Sequence, residues 1–345
     1  MSTRTRCHGA LAQDSCLAAS ERPITVLDPT SQYSEHLYIA PSGRAPSPSR
    51  TVRLEPSDWP SDDRCNRHQP FTTAETTRVA IDGRIDFLVY IPTSYRHGSR
   101  KASSPLLVGI AGKNAPCINT LNALFTSAAA AEYILVAPCL TATSYDDIGG
   151  TADTHSEPAM SEIVHQLRNV ITSVKRSLCV DARRIFFAGF GSGGAIAEMA
   201  ASRLPDLIRA IASVGGVFDG ATRSHQSLIH FHGTCDDAVP FLGSPDRPSV
   251  VEHMLRWAVR ASCEQPPMST FASDNHQNLV WSCPNSVQVE LIISLGARHG
   301  LPASVYIPGD IHRQHGWIKE DSFDTTDQIV GFFSGRSHDW NSSES

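Results

Sequence analysis

Apolar and polar positions fall into blocks along this chain. Residues 76–81 and 84–91 are β-prone runs joined by Asp82-Gly83, a pair that favours a tight hairpin turn. Pro92 ends the second run. Residues 105–111, Pro-Leu-Leu-Val-Gly-Ile-Ala, are apolar throughout, as a strand covered on both faces requires. A helix is predicted over 118–131, and a buried strand over 133–137, stopped by Pro138. After a polar loop with Gly149-Gly150, Pro158 suits the first turn of a helix running to about residue 178. Its Ile163, Leu167, Val170, Ile171 and Val174 share one face. Strands are predicted over 185–188, 208–214, 228–233 and 287–295, and helices over 195–201, 250–261 and 323–333. Strands alternating with helices predict an α/β fold. Its central sheet is mostly parallel, with an antiparallel hairpin at the N-terminal edge.

One junction in this pattern carries candidate chemistry. The run Ile185–Ala188 meets Gly189-Phe190-Gly191-Ser192-Gly193-Gly194 and then a helix. Strand, tight glycine turn and helix are the setting of a nucleophile elbow, whose pattern is G-x-S-x-G. Here glycine stands at the serine position, so Gly191 is a degenerate nucleophile position. Ser192 is the alternative nucleophile, one residue late. That register puts Phe190 two positions before it, where the packed turn wants a small residue. Two further segments follow predicted strands: His232-Gly233-Thr234-Cys235-Asp236-Asp237-Ala238-Val239-Pro240 and Gly296-Ala297-Arg298-His299-Gly300-Leu301-Pro302. In open parallel sheets, ligands bind outside the carboxyl ends of the strands. The order elbow, acid, histidine suits a hydrolytic triad, with His299 as base and Asp236 orienting its ring. Asp237 stays a rival to Asp236.

Composition narrows the classes. Net charge is −6 with His neutral, which does not suggest a nucleic-acid or anionic-membrane partner. No apolar run approaches the ~20 residues of a membrane span. Residues 1–60 are rich in Ser, Pro, Arg and Thr and read as a disordered leader. The folded domain is expected over 61–336, beginning near Cys65, and residues 337–345 read as a tail with the acceptor pattern Asn341-Ser342-Ser343. Nine cysteines favour an oxidising compartment, although the N-terminus is too short and polar in its apolar stretch for a convincing signal peptide. There is no C-x-x-C pair, and neither a metal nor a cofactor is expected. Cys235 reads as a small buried thiol.

Residues 177–195, Ser-Leu-Cys-Val-Asp-Ala-Arg-Arg-Ile-Phe-Phe-Ala-Gly-Phe-Gly-Ser-Gly-Gly-Ala, resemble the elbow region of secreted feruloyl esterases, relatives of the polyhydroxybutyrate depolymerases. His232-Gly233-Thr234 with Asp236 and Val239-Pro240 is similar to that family's acid motif, and residues 296–302 to its histidine motif. The resemblance covers roughly residues 65–335. It implies an α/β-hydrolase fold, a monomer, secretion, and action on hydroxycinnamate esters of plant cell-wall polysaccharide. It also implies a late disulfide, Cys263–Cys283, with Cys65, Cys117, Cys139 and Cys179 as candidates for others. Two departures stand in the site. Gly191 falls on the family's serine, and Ala111-Gly112 replaces its histidine-glycine. The backbone N–H groups of Lys113 and Ser192 could still form the oxyanion hole, with the Lys113 side chain expected in solvent. The resemblance therefore implies an impaired esterase, or an inactive relative that binds an ester or carbohydrate.

Overall fold

The computed structural model describes residues 45–54, 71–81, 85–96, 103–113, 115–140, 157–220, 226–245, 247–273, 276–300 and 324–336. The expectations resting on Cys65, Asp82-Gly83, Arg84, Gly149-Gly150, Leu301-Pro302, Phe323 and Asn341-Ser342-Ser343 lie outside these residues.

In chain order the strands are β1 (Arg50–Leu54), β2 (Thr76–Ile81), β3 (Ile85–Tyr90), β4 (Ser104–Ile110), β5 (Ile134–Pro138), β6 (Val180–Phe190), β7 (Ala210–Val214), β8 (Ser227–Gly233), β9 (Met268–Ser273), β10 (His276–Ser282) and β11 (Gln288–Ser294). The helices are α1 (Cys117–Ala123), α2 (Ser127–Glu132), α3 (Glu157–Ser177), α4 (Ser192–Arg203), α5 (Val250–Arg260) and α6 (Thr325–Arg336). All described strands join one sheet in the order β1-β2-β3-β5-β4-β6-β7-β8-β11-β10-β9. The run from β5 through β4, β6, β7 and β8 to β11 is parallel. Antiparallel pairs flank it, β2 with β3 and β3 with β5 on one side, β11 with β10 and β10 with β9 on the other.

The parallel centre follows from side-chain alternation on strands covered twice. Leu106, Val108 and Ile110 of β4 face one core, packed beneath α3, α4 and α5, and Leu107 faces the other, beneath α1, α2 and α6. In β6, Phe187 joins the first core while Phe186 and Ala188 join the second. The α3 face read from the sequence is buried as expected: Ile163, Leu167, Val170, Ile171 and Val174 are all in the first core.

Three expectations are corrected. Residues 118–131 are two helices, not one. Thr126 is extended and its Oγ1 accepts the Ala129 N–H, so it caps α2 and breaks the run. The folded part also begins earlier than residue 61, because β1 pairs in parallel with β2 and Ala45 is buried against the second core. The β9–β10 hairpin adds two strands that the apolar pattern did not announce.

Cys263 and Cys283 form the expected disulfide, and Cys117 pairs with Cys139. Cys179 and Cys235 are disulfide-bonded as well, so Cys235 is no buried free thiol. The Cys263–Cys283 bond closes a span of 20 residues between the end of α5 and β10. The double substitution Cys263→Ser/Cys283→Ser is expected to cost about 3 kcal/mol of unfolding free energy, read as a lower urea midpoint. A midpoint unchanged from the native chain would show that the bond does not constrain the unfolded state.

Candidate active site

The site lies at the carboxyl ends of β6, β8 and β11. At the first of these, the chain leaves β6 through Gly191 and enters α4. Gly191 has φ 55° and ψ −126°, a left-handed, extended conformation that side-chain-bearing residues adopt only under strain. The turn is held by Gly191 N–H donating to Val214 O at 2.8 Å and by Gly194 N–H donating to Gly191 O at 2.9 Å.

The neighbouring glycines fix which residue is the apex. A Cβ on Gly189 would lie 2.1 Å from Gly193 O, and one on Gly193 would lie 2.3 Å from Ile110 O. Those backbones touch only because neither residue has a side chain. Glycine is thus demanded two before and two after position 191, which is the spacing of the elbow around its nucleophile. The register that makes Ser192 the apex would need Phe190 in that contact, and Phe190 is instead packed in the second core.

Ser192 has another partner. Its Oγ accepts the Lys113 N–H at 2.7 Å. Lys113 itself is exposed, in line with a solvent-directed side chain. The loop after β4 and the first residue of α4 are therefore joined at the place where an oxyanion hole would form. The Ser192 hydroxyl sits on one of its two donors.

The acid and the histidine do come together. His299 Nδ1 is 2.8 Å from Asp236 Oδ2. Two adjacent turns hold them. Thr234 N–H donates to Ser294 O at 3.0 Å, Cys235 N–H to Ala297 O at 2.9 Å, and Gly296 N–H to Thr234 Oγ1 at 2.8 Å. Parallel β8 and β11 bring those turns side by side. The His299 ring lies over Gly215, where a Cβ would come within 3.2 Å of its Cε1. The rivalry between the two acids is resolved by position. The Asp236 side chain is 1% exposed and meets His299, while that of Asp237 is 69% exposed, 3.7 Å from Arg298.

Asp236 is saturated with donors. Its Oδ1 accepts the N–H groups of Ala238 and Val239 at 3.0 and 2.7 Å. Its Oδ2 faces His299 and also His232 Nε2, at 3.2 Å. Burial pushes its pKa up. The hydrogen bonds from His232 and His299 outweigh that and hold the carboxyl well below its ordinary value.

Behind Asp236 lies a buried row that the sequence reading missed. His232 Nδ1 is 3.0 Å from His230 Nε2, His230 Nδ1 is 3.3 Å from Glu198 Oε1, and Glu198 Oε2 is 3.0 Å from His253 Nε2. Burial pushes His230 down to about 4. Among the described residues, Glu198, His230 and His253 are also a grouping whose donor atoms, all within 4.8 Å, are close enough to share a metal ion. The available signal was His-x-His at the end of a strand, which puts both rings on one face.

The fold is that of the α/β-hydrolases, and elbow, acid and histidine follow one another in the chain order of that fold's triad. The profile of the Phospholipase/Carboxylesterase family matches residues 138–277, which hold the elbow and Asp236. A bifunctional acetylxylan esterase/xylanase of Neocallimastix patriciarum is 30% identical over 163 residues, covering 45% of this chain and 22% of that protein. Feruloyl esterase B of Piromyces equi is 26% identical over 151 residues, covering 38% of this chain and 28% of that protein. The chain thus matches only about a quarter of either relative's length. The solved acetyl xylan esterase from Aspergillus awamori is 15% identical, with a TM-score of 0.44, covering 71% of this chain and 100% of that one. The family profile and the two curated relatives support the motif resemblance to feruloyl-esterase-like hydrolases. No described helix is long and apolar enough to cross a membrane.

Removing the Asp236 carboxylate strands two imidazoles and two backbone N–H groups. Asp236→Ala is expected to cost about 3–5 kcal/mol in a urea titration, whereas Asp237→Ala should stay within about 0.5 kcal/mol of the native chain. Equal losses would return Asp237 to contention.

Proposed function

We propose that this chain is a feruloyl-esterase-like carboxylic ester hydrolase scaffold whose own turnover is silenced at position 191. The observation that carries this reading is Gly191 at the apex of an otherwise complete elbow. The ligands we propose are hydroxycinnamate or related acyl esters of plant cell-wall polysaccharide, met outside the cell. Six disulfide-bonded cysteines among the described residues support the oxidising compartment.

In this reading His299 is the base, Asp236 fixes its tautomer through Nδ1–H, and the N–H groups of Lys113 and Ser192 hold the oxyanion once the Ser192 hydroxyl turns off the Lys113 N–H. What is missing is an oxygen at the apex. Glycine cannot form an acyl-enzyme, and the loss of a triad's nucleophile costs about 10⁶ in turnover. Ser192 does not replace it, because its backbone is one step into the helix and its hydroxyl is held by Lys113 N–H. A binding role for the retained cleft is the second reading, favoured by the same glycine.

Hydrolysis of methyl ferulate by the native chain should be near background, and Gly191→Ser should raise it by about 100-fold or more, part of the ~10⁶ lost. The same substitution places a Cβ at φ 55°, so it should lower stability by about 1–3 kcal/mol. Ser192→Ala should leave native turnover at background. Robust native turnover abolished by Ser192→Ala would sink the silenced-elbow reading. No gain in Gly191→Ser would favour the binding role.

A further inference from the structure

Residues 193–201 of α4 are all buried, and Glu198 is the charged residue among them. On α5 the buried stripe is Val250, His253, Met254, Trp257 and Ala258, apolar except for one imidazole. Strand β8 is buried along its whole length and carries His230 to the same place. Glu198 and His230 are 0% exposed and His253 is 1% exposed. Three elements thus each set one polar side chain into an apolar interior, and the three meet. A carboxylate is costly there unless it is paired or coordinates a metal.

The spacing is that of ligands around one ion. His230 Nδ1 is 3.3 Å from Glu198 Oε1, and His253 Nε2 is 3.0 Å from Glu198 Oε2. Two ligands of a tetrahedral zinc ion, each at ~2.0–2.1 Å, stand about 3.3 Å apart. The two rings come from different elements, 6.0 Å apart and inclined at 57°. Hydrogen bonding does not account for the inner contacts. His253 Nε2 is buried and forms no hydrogen bond, lying off the line that one to Glu198 needs. The outer contacts, by contrast, are in place. His230 Nε2 is 3.0 Å from His232 Nδ1, and Glu198 Oε2 accepts the Phe218 N–H at 2.9 Å. Metal ligands are held in this way: a ligating histidine passes its other ring N–H to an acceptor, and a ligating carboxylate is itself hydrogen-bonded.

We propose that Glu198, His230 and His253 are the protein ligands of a buried, four-coordinate site for a divalent metal ion of the zinc class. Two imidazoles and a carboxylate match zinc and its first-row neighbours, whereas calcium and magnesium want oxygen throughout. The sequence announced no such site, because its ligands are 32 and 23 residues apart on α4, β8 and α5. The ion ties both helices to the sheet. It reaches Asp236 only through His230 and His232, so it holds the scaffold and does not touch an ester. The site stands whether or not the chain turns over a substrate.

Elemental analysis tests this on the full chain, made without a histidine tag in zinc-supplemented medium and dialysed. The native chain should carry one zinc per chain, and excess calcium should not displace it. His253→Gln should lose the ion. His165→Gln, at an exposed position of α3, should keep it. Chain made with cobalt instead should show the strong visible absorption of tetrahedral Co(II), without the near-ultraviolet band of a thiolate ligand. Substoichiometric zinc in the native chain would overturn the proposal and leave a hydrogen-bonded polar row. Zinc retained in full by His253→Gln would overturn it too, by placing the ion elsewhere. If that variant fails to fold, the native cobalt spectrum decides: a weak octahedral spectrum or a thiolate band overturns the site. None of these readings needs turnover, so a silent Gly191→Ser enzyme would count against the proposed function and not against the metal.

Discussion

The structure depends on a contact that only missing side chains permit. The backbones of β4, β6 and α4 meet at Gly189 and Gly193, closer than any Cβ would allow. That approach seats α4 directly on the sheet and aims its first turn at the carboxyl ends of the strands. It also fixes the apex residue, because the two glycines must flank it symmetrically. Position 191 is therefore defined by packing on both sides, independently of what residue occupies it.

Much of this was legible in the sequence. Central strands read clearly because both faces are covered and nearly every position is apolar, as in Leu106–Ile110 and Leu228–Phe231. The elbow, Asp236 and His299 read clearly because glycine spacing and motif order survive. What failed were edges, where one face suffices and polar residues intrude. In β1, Val52 and Leu54 alternate with Thr51 and Arg53, but the Ser, Pro and Arg around them suggested a leader. In β9 and β10 the apolar positions are sparse, and pairing with β11 is what organises them. The break between α1 and α2 turned on a single capping hydroxyl, Thr126, within a run of good helix formers. Asp236 was separated from Asp237 only weakly, since adjacent residues differ only in which way the turn after β8 points them.

The histidine row was only half legible, for a different reason. His230 and His232 lie two apart on β8, but Glu198 and His253 come from α4 and α5. Only the fold brings them together. The sheet alternation that buries Phe231 on one face puts both rings on the other, toward the helices. A strand interior with two imidazoles needs polar partners, and Glu198 at one end and the turn containing Val239 and Asp236 at the other supply them. The acid of the site is thus bound into the polar interior of the domain as well as to His299.

That arrangement bears on the glycine. An elbow serine is held at a positive φ by its surroundings, at a cost of about 1–3 kcal/mol. Glycine at the same place removes the strain and the nucleophile together. The rest of the site is not relieved in the same way. Asp236 cannot be removed without stranding His232, His299 and two backbone donors, and the glycines at 189 and 193 cannot be enlarged without moving β4. So position 191 is the one part of the site that can lose its chemistry and leave the fold better off. The dyad would persist beside Gly191 for structural reasons alone, and its presence is evidence about the scaffold before it is evidence about turnover.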